Sequence, residues 1–356
     1  LTAMQAYVFA ANLQGSTFPI LDAGPGPRAL VVVTLIGGTA LLAWLAGIIS
    51  EHGVANGFSV LLAATEAPRL LSQIVAAAAR PDISAPQVFE GVLRVAVPVG
   101  VLLWSMRRLS SSSDDATSLP RLMLPASGIL PLGAAASLLA LLVSLAGFGW
   151  VAPERVAVLA PGSTLRWGIE GALVLVLCPL YAWAFHRPGQ VARLWGRSME
   201  RAGGAEGAEG MEGAARRALG VAILKTLGIL ALLVLATGGG KGGRAAVDVM
   251  ALILVAAVLL DVVGEARFQR AQGRLSSVWP VHRAYAVHAS LRVLARAGIP
   301  AFPRGLHHRS LGQFFVPFVP VEILVPESRA GEAHAVLEAL LRGRGGEDTN
   351  QRGATG

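Results

Sequence analysis

Charge is what this chain has least of. Only 15 % of its 356 residues are Asp, Glu, Lys or Arg, against about 25 % in an ordinary soluble domain. That deficit excludes a fold wetted over most of its surface. Cysteine is almost absent: the single Cys178 excludes a disulfide framework and any zinc site built on paired cysteines. Cys178 sits in an apolar run and reads as a small core hydrophobe. The chain has no G-x-S-x-G, no G-x-G-x-x-G and no P-loop, and the Gly238–Gly243 stretch around Lys241 lacks the Lys-Ser/Thr ending that cradles phosphate. Asp248 and Asp261 share one apolar segment, so they do not face each other from two helices as an aspartyl dyad would. No catalytic constellation is left, so no enzyme activity is expected. A signal-peptide pattern is also lacking. The chain starts at Leu1 inside an apolar segment, which suggests that it is N-terminally incomplete.

What is present is apolar sequence in long runs. Hydrophobic residues make up 54 % of the chain and mean hydropathy is +0.59. About 20 helical residues cross a hydrocarbon core, and with no water there each span must satisfy its own backbone. After a partial segment, Leu1–Leu13, seven runs fit: Ala29–Ile49, Phe58–Ala79, Val88–Met106, Ala126–Phe148, Leu165–Phe185, Leu219–Thr237 and Val247–Val263. Pro98 interrupts the third. The fourth is rich in Ala, Gly and Ser, which allows close helix approach. Glu66 and Arg69 lie three apart in the second, and either line a polar path or form an intrahelical pair. Between the fifth and sixth runs, His186–Arg217 is a long polar stretch with a Gly-rich acidic insert, Ala205–Gly210, which reads as flexible.

The net charge is +8, with most Arg in loops and tail. That suits helix orientation and anionic lipid, with no specific nucleic-acid partner. The loops holding Arg107, Arg108, Arg121, Arg187, Arg193, Arg197, Arg201, Arg216 and Arg217 outnumber in basic charge those holding Arg28, Arg80, Arg155, Arg166, Lys241 and Arg244. The first set should be cytoplasmic, and the C-terminal tail with it. After Gly264 the composition changes. Ser276–Val281, Ile299–Arg304 and Val319–Val325 read as strands. His282–Ala297 reads as a helix stopped by Gly298, and Glu327–Arg342 as a second helix. That β-α-β-β-α order predicts a small α+β, ferredoxin-like soluble domain over 273–342, ahead of a polar, disordered 343–356. His282, His288, His307 and His308 read as surface histidines, and no metal site is expected from them.

One run has a more specific character. Gly38-Thr39-Ala40-Leu41-Leu42-Ala43-Trp44-Leu45 is followed by Ile49-Ser50-Glu51-His52-Gly53-Val54-Ala55-Asn56-Gly57-Phe58-Ser59. It resembles the signature of the SecY family of protein-conducting channels, G-T-x-x-L-x-W-L-G-x-x-I-T-E-x-G-I-G-N-G-I-S. Glycines beside Asn56 permit a tight turn, and Ser59 is placed to cap the next helix. Further resemblances fall in family order: Leu119-Pro120 with Pro125-Ala126-Ser127-Gly128-Ile129-Leu130-Pro131 and Ala136-Ser137-Leu138-Leu139, Leu159-Ala160-Pro161-Gly162, Tyr181 to Pro188, and Ala251 to Asp261. They cover about residues 1–272 as a partial helix three to helix ten.

The resemblance implies an all-α polytopic bundle in the bacterial inner membrane. It implies a channel subunit for protein translocation or insertion, working with a translocating polypeptide, SecE- and SecG-like subunits, and a SecA-like motor or ribosome. By motif alignment the pore constriction falls on Leu62, Gly133 and Leu254, the lateral gate on Ser127, Gly128, Pro131 and Ser137, and the signature turn on Glu51, Gly53, Asn56, Gly57 and Ser59. Gly133 has no bulk with which to seal a pore. The loop at Arg107–Ser118 is short, the one after His186 carries the insert, and the family's helices one and two are absent from this chain. These departures support an alternative: a degenerate, non-conducting paralogue that acts as scaffold or sensor through its tail. The tail itself, through Leu294-Ala295-Arg296-Ala297-Gly298-Ile299-Pro300-Ala301-Phe302 and Pro320 to Glu327, resembles the putative prokaryotic signal transducing protein family.

Overall fold

The computed structural model describes residues 3, 6, 7, 10, 24–79, 93, 96–106, 126–147, 159, 163–200, 208–238, 249–312 and 320–341. The chain forms two compact units, Leu1–Ala64 and Thr65–Gly356. Asp248, most of the Gly238–Gly243 stretch and the 343–356 tail lie outside the described residues.

In the first unit, helix α1 (Pro25–His52) starts on a proline-rich N-terminus and ends at Gly53. Its few hydroxyls turn back on the helix: Thr34 Oγ1 donates to the Leu30 carbonyl at 2.8 Å and Thr39 Oγ1 to the Leu35 carbonyl at 2.8 Å. This satisfies both threonine hydroxyls inside the helix, as an apolar medium requires. Leu30 is 69 % and Trp44 64 % exposed, as suits a face that meets lipid. Helix α2 (Gly57–Ala78) begins in this unit and continues into the second, the division falling between Ala64 and Thr65.

The second unit gathers the other helices: α3 (Ala96–Met106), α4 (Leu130–Gly147), α5 (Thr164–Phe185), α6 (Pro188–Glu200), α7 (Ala208–Gly238) and α8 (Val249–Gln272). Among the described residues, four helical stretches are long and apolar enough to cross a membrane: Pro25–His52, Thr164–Phe185, Met211–Leu235 and Val249–Gln272. Leu102, Leu132, Ala135, Val174, Leu230 and Ile253 form a membrane-level core, with Cys178 fully buried in it. The core role expected for that cysteine holds.

From Pro188 on, the described residues of the polar stretch after His186 are helical. They form α6 and the start of α7, and α7 begins at Ala208, so half of the acidic insert is helical. The reason is amphipathicity: Val191, Ala192 and Trp195 face inward with Met211, Ala215, Leu219 and Ala222 of α7.

The tail follows α8 directly. Strand β1 (Leu275–Val281), helix α9 (Ala284–Arg296), strand β2 (Phe302–Arg304), short helix α10 (Leu306–Leu311), strand β3 (Val321–Pro326) and helix α11 (Ala330–Leu341) build it. The sheet order is β1-β3-β2, antiparallel throughout, pairing Val281 with Val321, Leu275 with Pro326 and Arg304 with Glu322. β1 and β2 therefore flank β3, as in a split β-α-β unit. The three expected strands and two expected helices are present among the described residues, and the expectation needs correction at one point: a further short helix, α10, stands between β2 and β3. Gly298, at φ +67, stops α9 as expected, with the Ile299 amide reaching back to the Leu294 carbonyl at 2.9 Å. The domain is not free-standing. Leu294, Ile323 and Leu337 share one continuous core with Trp195 and Leu219, so the tail is built onto the α6–α7 hairpin.

Candidate functional site

Two places concentrate polar chemistry. The first is the turn from α1 to α2. Asn56 Oδ1 accepts from the amides of Phe58 at 3.1 Å and Ser59 at 3.3 Å. Asn56, and not Ser59, is thus the N-terminal cap. Ser59 sits inside the helix and is buried, and Ser50 Oγ accepts from the Gly57 amide at 2.8 Å. Glycine is obligatory at 57, because a Cβ there would lie 2.0 Å from the Ala46 carbonyl oxygen. At Gly53 it would lie 2.5 Å from the Ile49 carbonyl oxygen. Ala55, not a glycine, takes the left-handed conformation at φ 74. Glu51 is exposed on the last turn of α1. The signature residues therefore build a rigid corner and show no reactive cluster.

The second place is the junction of α8 with the tail. Asp261, 1 % exposed, accepts at one oxygen from the His307 amide at 3.1 Å and from His307 Nδ1 at 2.7 Å, and at the other from the His308 amide at 3.1 Å. A buried carboxylate in a spanning helix is costly unless it is bonded. Here it finds the unsatisfied first-turn amides of α10, whose dipole also favours it. One turn on, buried Glu265 takes Arg304 in a two-pronged contact, with both carboxylate oxygens 3.0 Å from Nε. Glu322, opposite Arg304 across the strand pair, adds a bond at 3.2 Å. Burial opposes the Arg304 charge, but the bonds and charges of Glu265 and Glu322 together raise its pKa above the ordinary value.

The same short helix reaches the bundle from its other end. The Leu311 carbonyl accepts from the Ile129 amide at 3.1 Å, and the Leu311 side chain lies in the membrane-level core. Gly128 has φ +66, and a Cβ on it would stand 2.4 Å from the Leu311 carbonyl oxygen. Arg309, 2 % exposed, donates to the carbonyls of Gly312 at 3.1 Å and His282 at 3.2 Å, and burial lowers its pKa to about 10.

The residues expected at the lateral gate divide here. Ser127, Gly128 and Pro131 lie at this junction and are buried or tightly contacted, Ser127 Oγ standing 3.5 Å from Cys178 Sγ. Ser137 is exposed on α4. Of the constriction positions, Leu62 belongs to the first unit. Gly133 and Leu254 belong to the second, where Gly133 is exposed with open space around an added Cβ. Glu66 and Arg69 form an intrahelical pair at 3.8 Å, the plainer of their two readings.

The histidine expectation is overturned for three of the four. His282 is exposed, but His308 is buried and His307 is bonded to Asp261. The Nε2 of His288 is sealed from solvent, with no hydrogen-bond partner among the described residues. Burial lowers the pKa of His308, with Asp261 opposing and Arg309 assisting that shift, and lowers that of His288 to about 4. Among the described residues no group of His, Cys, Asp or Glu could hold a metal ion. Reasoning from sequence missed Arg304, Glu265 and Arg309 as site residues. The one available signal was a charge, Glu265, four residues after Asp261 on the same helix face.

The fold and these two corners define a helical, multi-pass membrane protein whose tail is anchored by buried charge to its last span. Residues 1–263 match the family model described as SecY, and the chain belongs to the SecY family. No curated protein matches it.

Proposed function

We propose that the protein is a SecY-type channel subunit, through which polypeptides cross or enter the bacterial inner membrane, and that its tail lies on the cytoplasmic side. The family match over residues 1–263 carries this reading, and the built signature turn at Asn56 and Gly57 supports it. Passive conduction needs no bound cofactor. Energy would come from a SecA-like motor or a ribosome, and SecE- and SecG-like subunits would complete the channel.

One observation favours the second reading, a non-conducting scaffold or sensor. The tail is docked into the bundle through Asp261, Glu265 and Leu311 and packs on the α6–α7 hairpin. A partner seeking that hairpin would first have to displace the tail. The two readings separate in cells depleted of their own SecY that express the full reading frame. Export of a signal-bearing reporter establishes the channel. A stably inserted protein with no export leaves the sensor.

A further inference from the structure

A cleft of about 970 Å³ opens between α8 and the tail, in the size range of small-molecule sites, roughly 300–1,000 Å³. One wall is α8, from Ala256 past Leu259 and Val263. The facing wall is the run Gly298-Ile299-Pro300-Ala301-Phe302, the most distinctive motif of the tail. The two walls meet closely at one point. Gly264 lets the Phe302 ring lie against the helix, since a Cβ there would be 3.0 Å from the ring, and Phe302 then stacks on Phe268 at 5.7 Å.

The cleft is lined mostly by apolar side chains, and Arg267 and His307 are the basic side chains among them. Leu259 and Val263 are exposed large hydrophobics on a membrane-spanning helix, so the mouth opens toward acyl chains and not toward water. Arg267 follows Val263 by one turn, lines the cleft and is exposed. Among the described residues it has no ion-pair partner. His307 also lines the cleft, and its Nδ1 is held by Asp261, which leaves Nε2 as the ring nitrogen available to a ligand. The Asp261 carboxylate thus fixes the ring orientation and presents Nε2 to whatever enters the cleft. Just past the cleft, Arg270 and Arg274 are exposed as well, so the end of the span is positive at head-group level.

We infer that this cleft is a site for one anionic phospholipid of the leaflet on the tail's side, with an acyl chain between α8 and the Gly298–Phe302 run and its phosphate on Arg267 and His307. The occupant bridges span and tail, so its binding holds the tail in the docked position. This holds whether or not the chain conducts polypeptide.

The test is native mass spectrometry of the full chain released from nanodiscs of phosphatidylcholine with one-fifth phosphatidylglycerol. The expected result is one phosphatidylglycerol retained in preference to phosphatidylcholine. R267Q should lower that preference about fivefold, the effect of one basic residue at a membrane surface. R270Q, outside the cleft, should leave it unchanged, and A256F, which fills the cleft, should abolish retention. Equal retention of both lipids overturns the site, and so does the same loss in R270Q as in R267Q, because either means annular lipid only. Should A256F fail to fold, the two arginine variants decide, both being at exposed positions.

Discussion

His307 Nδ1 lies 2.7 Å from the Asp261 carboxylate, and that bond ties the first turn of a tail helix to α8. Asp261 would otherwise be an isolated buried charge, and α10 would otherwise start with unsatisfied amides. Each removes the other's cost. Asp261→Ala leaves two buried amides and a histidine without their acceptor, so docking of the tail should weaken by about 3 kcal/mol, the scale of hydrogen bonds to a charged group. Asn keeps an acceptor oxygen but turns an NH₂ toward a donor, and should fall between Ala and wild type. Hydrogen exchange of 302–311 checks this. Unchanged protection in the alanine variant would sink the account.

Arg304 between Glu265 and Glu322 makes a sharper prediction, because buried ion pairs behave asymmetrically. Removing one partner strands a charge and costs about 3–5 kcal/mol, while replacing both with apolar groups of similar size is often neutral. Glu265→Leu alone should therefore loosen the tail more than Glu265→Leu with Arg304→Met. Thermal melts of the two variants, followed by cleavage at tail arginines, give the ordering. The reverse order would mean that the pair itself, not its desolvation, supplies the stability.

Gly128 and Gly133 lie five residues apart and should respond in opposite ways. Alanine at 128 needs the left-handed backbone, about 1–2 kcal/mol per residue, and places its Cβ against the Leu311 carbonyl. Alanine at 133 meets open space and gains helix propensity, up to about 1 kcal/mol. Gly128→Ala should expose the tail to protease while Gly133→Ala leaves it protected. If the Gly133 variant is the damaging one, the open space around residue 133 is filled in the working protein.

Four of the seven spans, those at Ala29–Ile49, Leu165–Phe185, Leu219–Thr237 and Val247–Val263, were legible together with the signature turn and the approximate positions of β1, α9 and β3, because each rests on a local signal: run length, a glycine at a turn, a change of periodicity. The cap at Asn56 was misassigned to Ser59 because both are good caps and only the helix start separates them. The α6–α7 hairpin was hidden because its charged face dominates composition, while Val191 and Trp195 reveal themselves only at helical spacing. The docking of the tail could not be read at all. Nothing near Asp261 in sequence shows that its donors are 46 and 47 residues away. Its membrane setting drew attention to the aspartate, but only the fold supplies the histidines.

Burial of the His288 ring gives the tail a sensitivity to acid. Its pKa is lowered to about 4 by burial, below an ordinary value near 6.5. Above pH 6.5 it is neutral whether the tail is folded or not, and contributes no pH dependence. As pH falls from 6.5 toward 4 the unfolded tail takes up the proton first, so stability is lost through that window and levels off below it. The full span corresponds to about 3 kcal/mol. His288→Phe keeps the ring volume and removes the titration. Its melting temperature should change less than that of the wild type between pH 7 and pH 4.5. Parallel pH profiles for the two proteins would show that His288 reaches solvent and that acid acts elsewhere, with His308, also lowered by burial, the next residue to replace.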